Sequence, residues 1–192
     1  MASLESKTRV IGKSEPKKNL AWLYSWVGGK LRRGKIPEEA FHVRKKDMPF
    51  IGGVFIYSYD PKTKDTLPWW DELPVVIPIG LYNDGWLGLN VHYLPPSLRA
   101  KLLDKLLQFK KRAHTSRAYM KVSYEFLQSV VKAELFQPCV KRYLFSHVTS
   151  PLLYVNDEHW ENIVKLPLQQ FRYANAQKVW HNPNGPKKRK RR

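Results

Sequence analysis

The sequence predicts an α+β fold: a small antiparallel β-sheet or partial barrel at about residues 50–94, packed against a mostly helical C-terminal half, with basic N- and C-terminal arms. Three observations carry this. Aromatic and β-branched residues crowd residues 50–94, where an Asp-Gly turn signal separates two apolar runs. From Ser97 onward the apolar spacing changes from two residues to three or four. No segment repeats itself, which sets aside solenoids and propellers.

Residues 1–18 are polar and lysine-bearing, and read as a mobile basic arm. Asn19 is a plausible cap for a helix carrying Leu20, Leu23, Tyr24 and Val27 on one face, ended by Gly28-Gly29. Phe50–Asp60 reads as a strand in which Gly52-Gly53 marks a bulge or a close backbone approach. A proline-rich loop follows, and in it Trp69-Trp70 are expected to be partly exposed, whereas Trp22, Trp26 and Trp160 are expected in the core. The short run Val75–Ile79 is a strand that Pro78 assigns to an edge or a bulge.

Asn83-Asp84-Gly85 then turns the chain into a second strand. There Leu87, Leu89, Val91 and Tyr93 form the natural core face, alternating with Trp86, Gly88, Asn90 and His92. Pro95-Pro96 stops the strand and starts a helix from about Ser97. Leu98, Leu102, Leu103, Leu106 and Leu107 make its apolar stripe, and Lys101, Lys105, Gln108 and Arg112 its opposite, polar stripe. A second helix over His114–Phe136 is expected to bury Met120, Tyr124, Leu127 and Val131, widened by Tyr119, Phe126 and Val130, more deeply than the first. A third helix is expected over Pro138–Ser150, with Lys141 and Arg142 exposed. A short fourth follows Asn156-Asp157 and stops at Pro167. The resulting organisation is a basic arm at 1–18, a single α+β domain over 19–180, and a basic tail at 181–192.

Charge is the strongest functional signal. The chain has 192 residues, a net charge of +18 and a pI near 10.0. The charge is segregated: net +7 over residues 1–48, −3 over 49–96, +8 over 97–150 and +6 over 151–192. So basic a chain repels itself and points to a polyanion partner. With 43% hydrophobic residues it is not a disordered polycation. The single Cys139 rules out an intramolecular disulfide and a Cys-rich zinc site, and fits a reducing cytoplasm. No apolar run suits a secretory signal or a membrane span.

Catalytic signals are thin. The six histidines fall in no metal-helix spacing, and no nucleophile elbow, Walker loop or dinucleotide fingerprint is present. No cofactor and no metal site are expected, and the chain is expected not to be an enzyme. The alternative is a metal-dependent nuclease built on the Asp60-Pro61-Lys62 triplet, with Asp47, Asp71 or Glu72 as the second carboxylate. Proline inside the triplet favours a plain turn instead.

Binding signals are stronger. The expected phosphate contacts are Arg32, Arg33, Lys35, Arg44, Lys45, Lys46, Lys101, Lys105, Arg112, Lys141, Arg142, Lys187, Lys188, Arg189, Lys190, Arg191 and Arg192. The last six are consecutive, and in a eukaryotic host would also read as a nuclear localisation signal. Tryptophans near such clusters suit stacking on bases, although most tryptophans fill cores.

Tyr59–Asp71 follows Y-D-x-K-x-K-x-x-L-P-x-x-D, Leu73–Ile79 follows x-P-x-V-x-P-I, and Asp84–Asp104 follows D-G-x-L-G-L-N-x-H-Y-L-P-P-x-x-R-A-x-L-[LM]-D. Together with Phe136–Trp180, these runs resemble the DNA end protector family of T4-like tailed phages, a minor head-neck virion protein. The resemblance covers roughly residues 50–180. It implies a virion protein, met in the host bacterial cytoplasm during assembly, that binds double-stranded DNA. The implied target is the packaged terminus near the portal, shielded from host exonuclease. Portal/neck or tail proteins are implied partners, and a structural neck, tail or head-completion role is the alternative.

Overall fold

The computed structural model describes residues 48–165, 169–182 and 185. The expected arm, the Asn19 helix with Trp22 and Trp26, and the cations at 187–192 lie outside these residues. In chain order come β1 (Phe55–Ile56), β2 (Trp70–Asp71), β3 (Val75–Tyr82), β4 (Gly85–Asn90), α1 (Pro96–Arg112), α2 (Ser116–Val130), β5 (Val140–Leu144), β6 (Leu153–Tyr154), α3 (Trp160–Lys165), β7 (Phe171–Arg172) and α4 (Ala176–His181). The main sheet is antiparallel with strand order β5-β4-β3-β1-β6, and it does not close into a barrel. β2 and β7 pair separately. The fold is therefore α+β as expected, but the C-terminal half lends two strands to the sheet.

The β3–β4 hairpin pairs from Val76↔Asn90 to Tyr82↔Gly85, so Asn83 and Asp84 are its two loop residues. Gly85 starts β4 so close to β5 that a Cβ would lie 1.9 Å from the Tyr143 carbonyl oxygen. The register shifts between Pro78 and Gly80, the bulge that proline requires. Pro78 is not at an edge, however: β3 lies between β4 and β1. The central position is tolerated because β1 is only Phe55–Ile56 and pairs with Val75 and Val76, leaving Pro78 no β1 carbonyl to serve.

Both faces of the sheet are covered. Val75, Ile77, Ile79 and Leu89 join the main core with α1, α3 and α4 residues. Phe55, Tyr57, Tyr59, Val76, Trp86 and Tyr143 form a second, aromatic cluster on the other face. In it Trp86 stacks on Tyr143 at 5.7 Å and meets Tyr57 edge-on at 5.3 Å. The expected single core face is corrected here: Trp86, Asn90 and His92 are buried along with Leu89, Val91 and Tyr93. β4 also ends at Asn90, whose side chain accepts from the His92 amide and caps a 3-10 turn over Val91–Tyr93.

α1 begins at Pro96, with Pro95 before it in extended geometry. Leu102, Leu103 and Leu106 are buried and Leu98 and Leu107 half-buried, as the stripe predicts. α1 packs against α2 and α3. α2 is rotated from expectation and is the less buried helix: Tyr119, Ser123 and Leu127 face inward, while Tyr124 is exposed. The Tyr119 hydroxyl donates to the Gly52 carbonyl at 2.7 Å, which sets that rotation.

The expected third helix is instead strand β5 between two 3-10 turns. Val140, Leu144 and Val148 satisfy a helical spacing, but the outer edge of β4 offers hydrogen bonds to Val140–Leu144. Pairing that edge outweighs a local preference. Trp160 is buried as expected, its indole N–H bonded to the Val155 carbonyl at 2.9 Å. Trp69 is buried and Trp70 only partly so, which corrects half of the exposed-pair expectation.

Candidate nucleic-acid interface

Five of the expected phosphate contacts lie among the described residues. Lys101, Lys105 and Arg112 are exposed along one stripe of α1. At 1.5 Å per residue they span about 16 Å, the axial rise of about five base pairs of duplex. Lys105 reaches Gln108 at 3.5 Å and lies over the Phe109 ring at 5.4 Å, so its stem rests on the helix surface. Lys110, Lys111 and Arg112 occupy the last turn, where the helix dipole favours cations. Lys110 is held by Asp157 at 2.7 Å.

Lys141 and Arg142 are consecutive strand residues and so face opposite sides of the sheet. Lys141 is half-buried over the Tyr93 ring at 4.6 Å, and burial lowers its ammonium below the usual range. Arg142 lies 4.2 Å over the Tyr82 ring and is paired with Asp84 at the hairpin tip. The structure therefore does not bring these two together in one patch. Arg32, Arg33, Lys35, Arg44, Lys45, Lys46 and the 187–192 cluster lie outside the described residues.

Sequence reasoning overlooked other cations. Lys111, Arg117 and Lys121 are exposed around the α1–α2 turn, Arg117 and Lys121 at i, i+4 spacing on one helix face. The Thr115 cap, whose hydroxyl accepts from the Ala118 amide at 3.1 Å, would have located that helix start.

An aromatic ledge forms where β2 meets β7. Trp70 pairs across the sheet with Arg172, and the Tyr173 ring meets Trp70 edge-on at 5.3 Å. Lys178 lies over the buried Trp69 at 5.6 Å. Gly185 packs against the same tryptophan and Pro68: a Cβ there would sit 2.6 Å from Pro68 Cγ. Its backbone is left-handed (φ +80), which glycine adopts freely.

The acidic groups do other work. Asp71 is buried, its two oxygens accepting from the amides of Leu73 and Gln170, from Asn90 Nδ2, and from His92 Nδ1 at 2.7 Å. Burial lowers the His92 pKa, and the Asp71 carboxylate only partly offsets this. The imidazole is thus neutral, with Nδ1–H donated to Asp71. Asp60 is exposed and paired with Lys64 at 3.0 Å. Asp60 and Asp71 of the nuclease alternative thus have separate engagements, Glu72 is paired with Arg172, and Asp47 lies outside the described residues; no cluster of three or more metal-ligating side chains occurs among the described residues. Cys139 is buried, its thiol pushed up to about 12 by burial.

Arg99 is the other polar residue in the core. It sits on α1 beside the leucine stripe, yet its guanidinium is buried. It donates to the carbonyls of Val91 at 3.1 Å, Leu94 at 3.1 Å and Ile163 at 2.8 Å. No described helix is long and apolar enough to cross a membrane.

No curated protein and no solved structure matches the chain. A family model described as "Phage T4 terminal DNA protecting protein" matches residues 3–183, reaching back through the N-terminal segment that the motif runs leave uncovered. With nearly the whole chain inside that match, the protein belongs to the family of the phage T4 terminal DNA protecting protein.

Proposed function

We propose that this protein binds the terminus of packaged double-stranded DNA near the portal and shields it from host exonuclease, without itself cleaving DNA. The observation that supports this most is family membership in a chain whose +18 charge is segregated away from residues 49–96. The α1 stripe Lys101, Lys105 and Arg112, the basic segments 1–48 and 181–192, and the more hindered Lys141 and Arg142 supply the cations. Each phosphate neutralised releases counterions and steepens the salt dependence of binding. Protection then needs only occupancy, because an exonuclease must reach the last base pair. Virion location, and contact with portal/neck or tail proteins, belong to the same reading, as does a single domain over 19–180 flanked by basic arms.

The test is to challenge linear DNA with a processive exonuclease at increasing protein, with a nicked circle of equal length as binding competitor. Protection at about one protein assembly per end, undiminished by the circle, is the expected result. Protection only at coating ratios, with equal binding to the circle, would favour a structural neck or tail component instead. Replacing Lys101, Lys105 and Arg112 by Gln should lower the log–log salt slope by about 2–3 if all three meet phosphates.

A further inference from the structure

We propose that Tyr173, braced by Trp70, is the platform on which the last base pair of a DNA duplex stacks. This rests on the end-protection reading and names the chemistry by which an end is told from internal DNA.

Cations cannot make that distinction, since phosphates line the whole duplex. What an end alone presents is the flat, unstacked face of its terminal base pair. An aromatic ring beside cations is the side-chain chemistry that fits it. Three aromatic residues are exposed among the described residues: Tyr82 at 51%, Tyr124 at 44% and Tyr173 at 75%. Tyr82 has the Arg142 guanidinium over its ring, and Arg142 is in turn held by Asp84. Tyr124 lies mid-way along α2, with no aromatic partner described.

Tyr173 differs on two counts. Its ring has a fixed neighbour, Trp70, edge-on at 5.3 Å, which orients it while leaving most of it open. Its backbone is also left-handed at φ 63, the only such non-glycine residue among those described. That conformation is unfavourable for a tyrosine, and a ring left 75% exposed recovers little by burial. An outlier of this kind at an exposed surface position points to a ligand.

The surroundings suit a DNA end. Arg172, 60% exposed, stands opposite Trp70 and is braced by Glu72 at 2.6 Å. Lys178 is exposed on the adjoining α4. Gly185 is anchored on Pro68 and Trp69 nearby. A ring facing the terminal pair, with cations placed for the flanking phosphates, is the arrangement that end binding requires.

Tyr173→Gly removes the ring and also relieves the backbone, so loss of folding is not a confounder; its urea midpoint should equal or exceed that of the parent chain. Affinities are measured for a blunt linear duplex and a closed circle at one salt concentration, for the parent, Tyr173→Gly and Tyr173→Phe. Tyr173→Gly is expected to lose about 5- to 150-fold in end-over-circle preference, the range that aromatic stacking on one base supports. Its circle affinity and salt slope should be unchanged, and Tyr173→Phe should keep the preference. A 2-aminopurine at the terminal pair should change emission on binding the parent but not Tyr173→Gly. If Tyr173→Gly keeps the preference, or weakens both substrates equally, the platform is wrong while end protection stands. If the parent shows no end preference, the end-protection reading fails, and the platform with it.

Discussion

Replacing Arg99 by Met tests the most unexpected feature of the core. The substitution keeps the aliphatic stem and removes a guanidinium that donates to three backbone carbonyls, those of Val91, Leu94 and Ile163. Burial lowers this arginine from its ordinary range to about 10, with the Asp71 carboxylate opposing the fall, so enclosing the charge costs about 3 kcal/mol. Three hydrogen bonds from a charged donor contribute roughly 1.5–3 kcal/mol each. The bonds therefore outweigh the burial cost, and Arg99→Met should destabilise by about 3 kcal/mol. For a chain of this size that lowers Tm by roughly 6–12 °C. Urea and thermal unfolding measure it, and DNA binding is measured well below the transition. There Arg99→Met should bind with the parent's affinity and salt slope, because this cation reaches no phosphate. A variant as stable as the parent would refute the reasoning: desolvation would then equal the bonds, as it does for some buried ion pairs.

Three further outcomes are expected. Because burial holds His92 below 6.5 in the fold, facing Asp71 and Arg99, the unfolded chain takes up a proton that the folded one refuses. Stability should therefore fall as pH drops below about 6.5, by up to about 1.4 kcal/mol per pH unit from this group; urea midpoints at pH 7.5 and 5.5 should lie closer together in His92→Gln, and an unchanged gap would contradict the assignment. Gly85→Ala drives a methyl onto the Tyr143 carbonyl and should cost roughly 1–3 kcal/mol by loosening the β4–β5 pairing; an unshifted urea midpoint would count against that clash. Deleting residues 186–192 should reduce the log–log salt slope of DNA binding by about 5, if all six cations meet phosphates, and leave the urea midpoint in place.

What could be read directly from the chain is what its near neighbours decide. The Asn83-Asp84-Gly85 turn, the stop at Pro95-Pro96 and the leucine stripe of α1 depend on turn chemistry and periodicity over a few residues, and all three stand in the structure. The motif runs led to the right family for the same reason: they are contiguous text. Four polar letters of those runs, Asp71, Asn90, His92 and Arg99, proved to be buried and bonded. Their partners are distant: Asp71 receives the Gln170 amide 99 residues on, and Arg99 reaches Ile163 across 64 residues. The strand at 140–144 likewise needed the edge of β4, and Tyr173 needed Trp70, before either had a meaning. On one helix, Arg99 is enclosed and Lys105, six residues away, is open to solvent. Both are plain cations in the sequence. Only packing decides which loses its water, because burial depends on surfaces contributed from elsewhere in the chain.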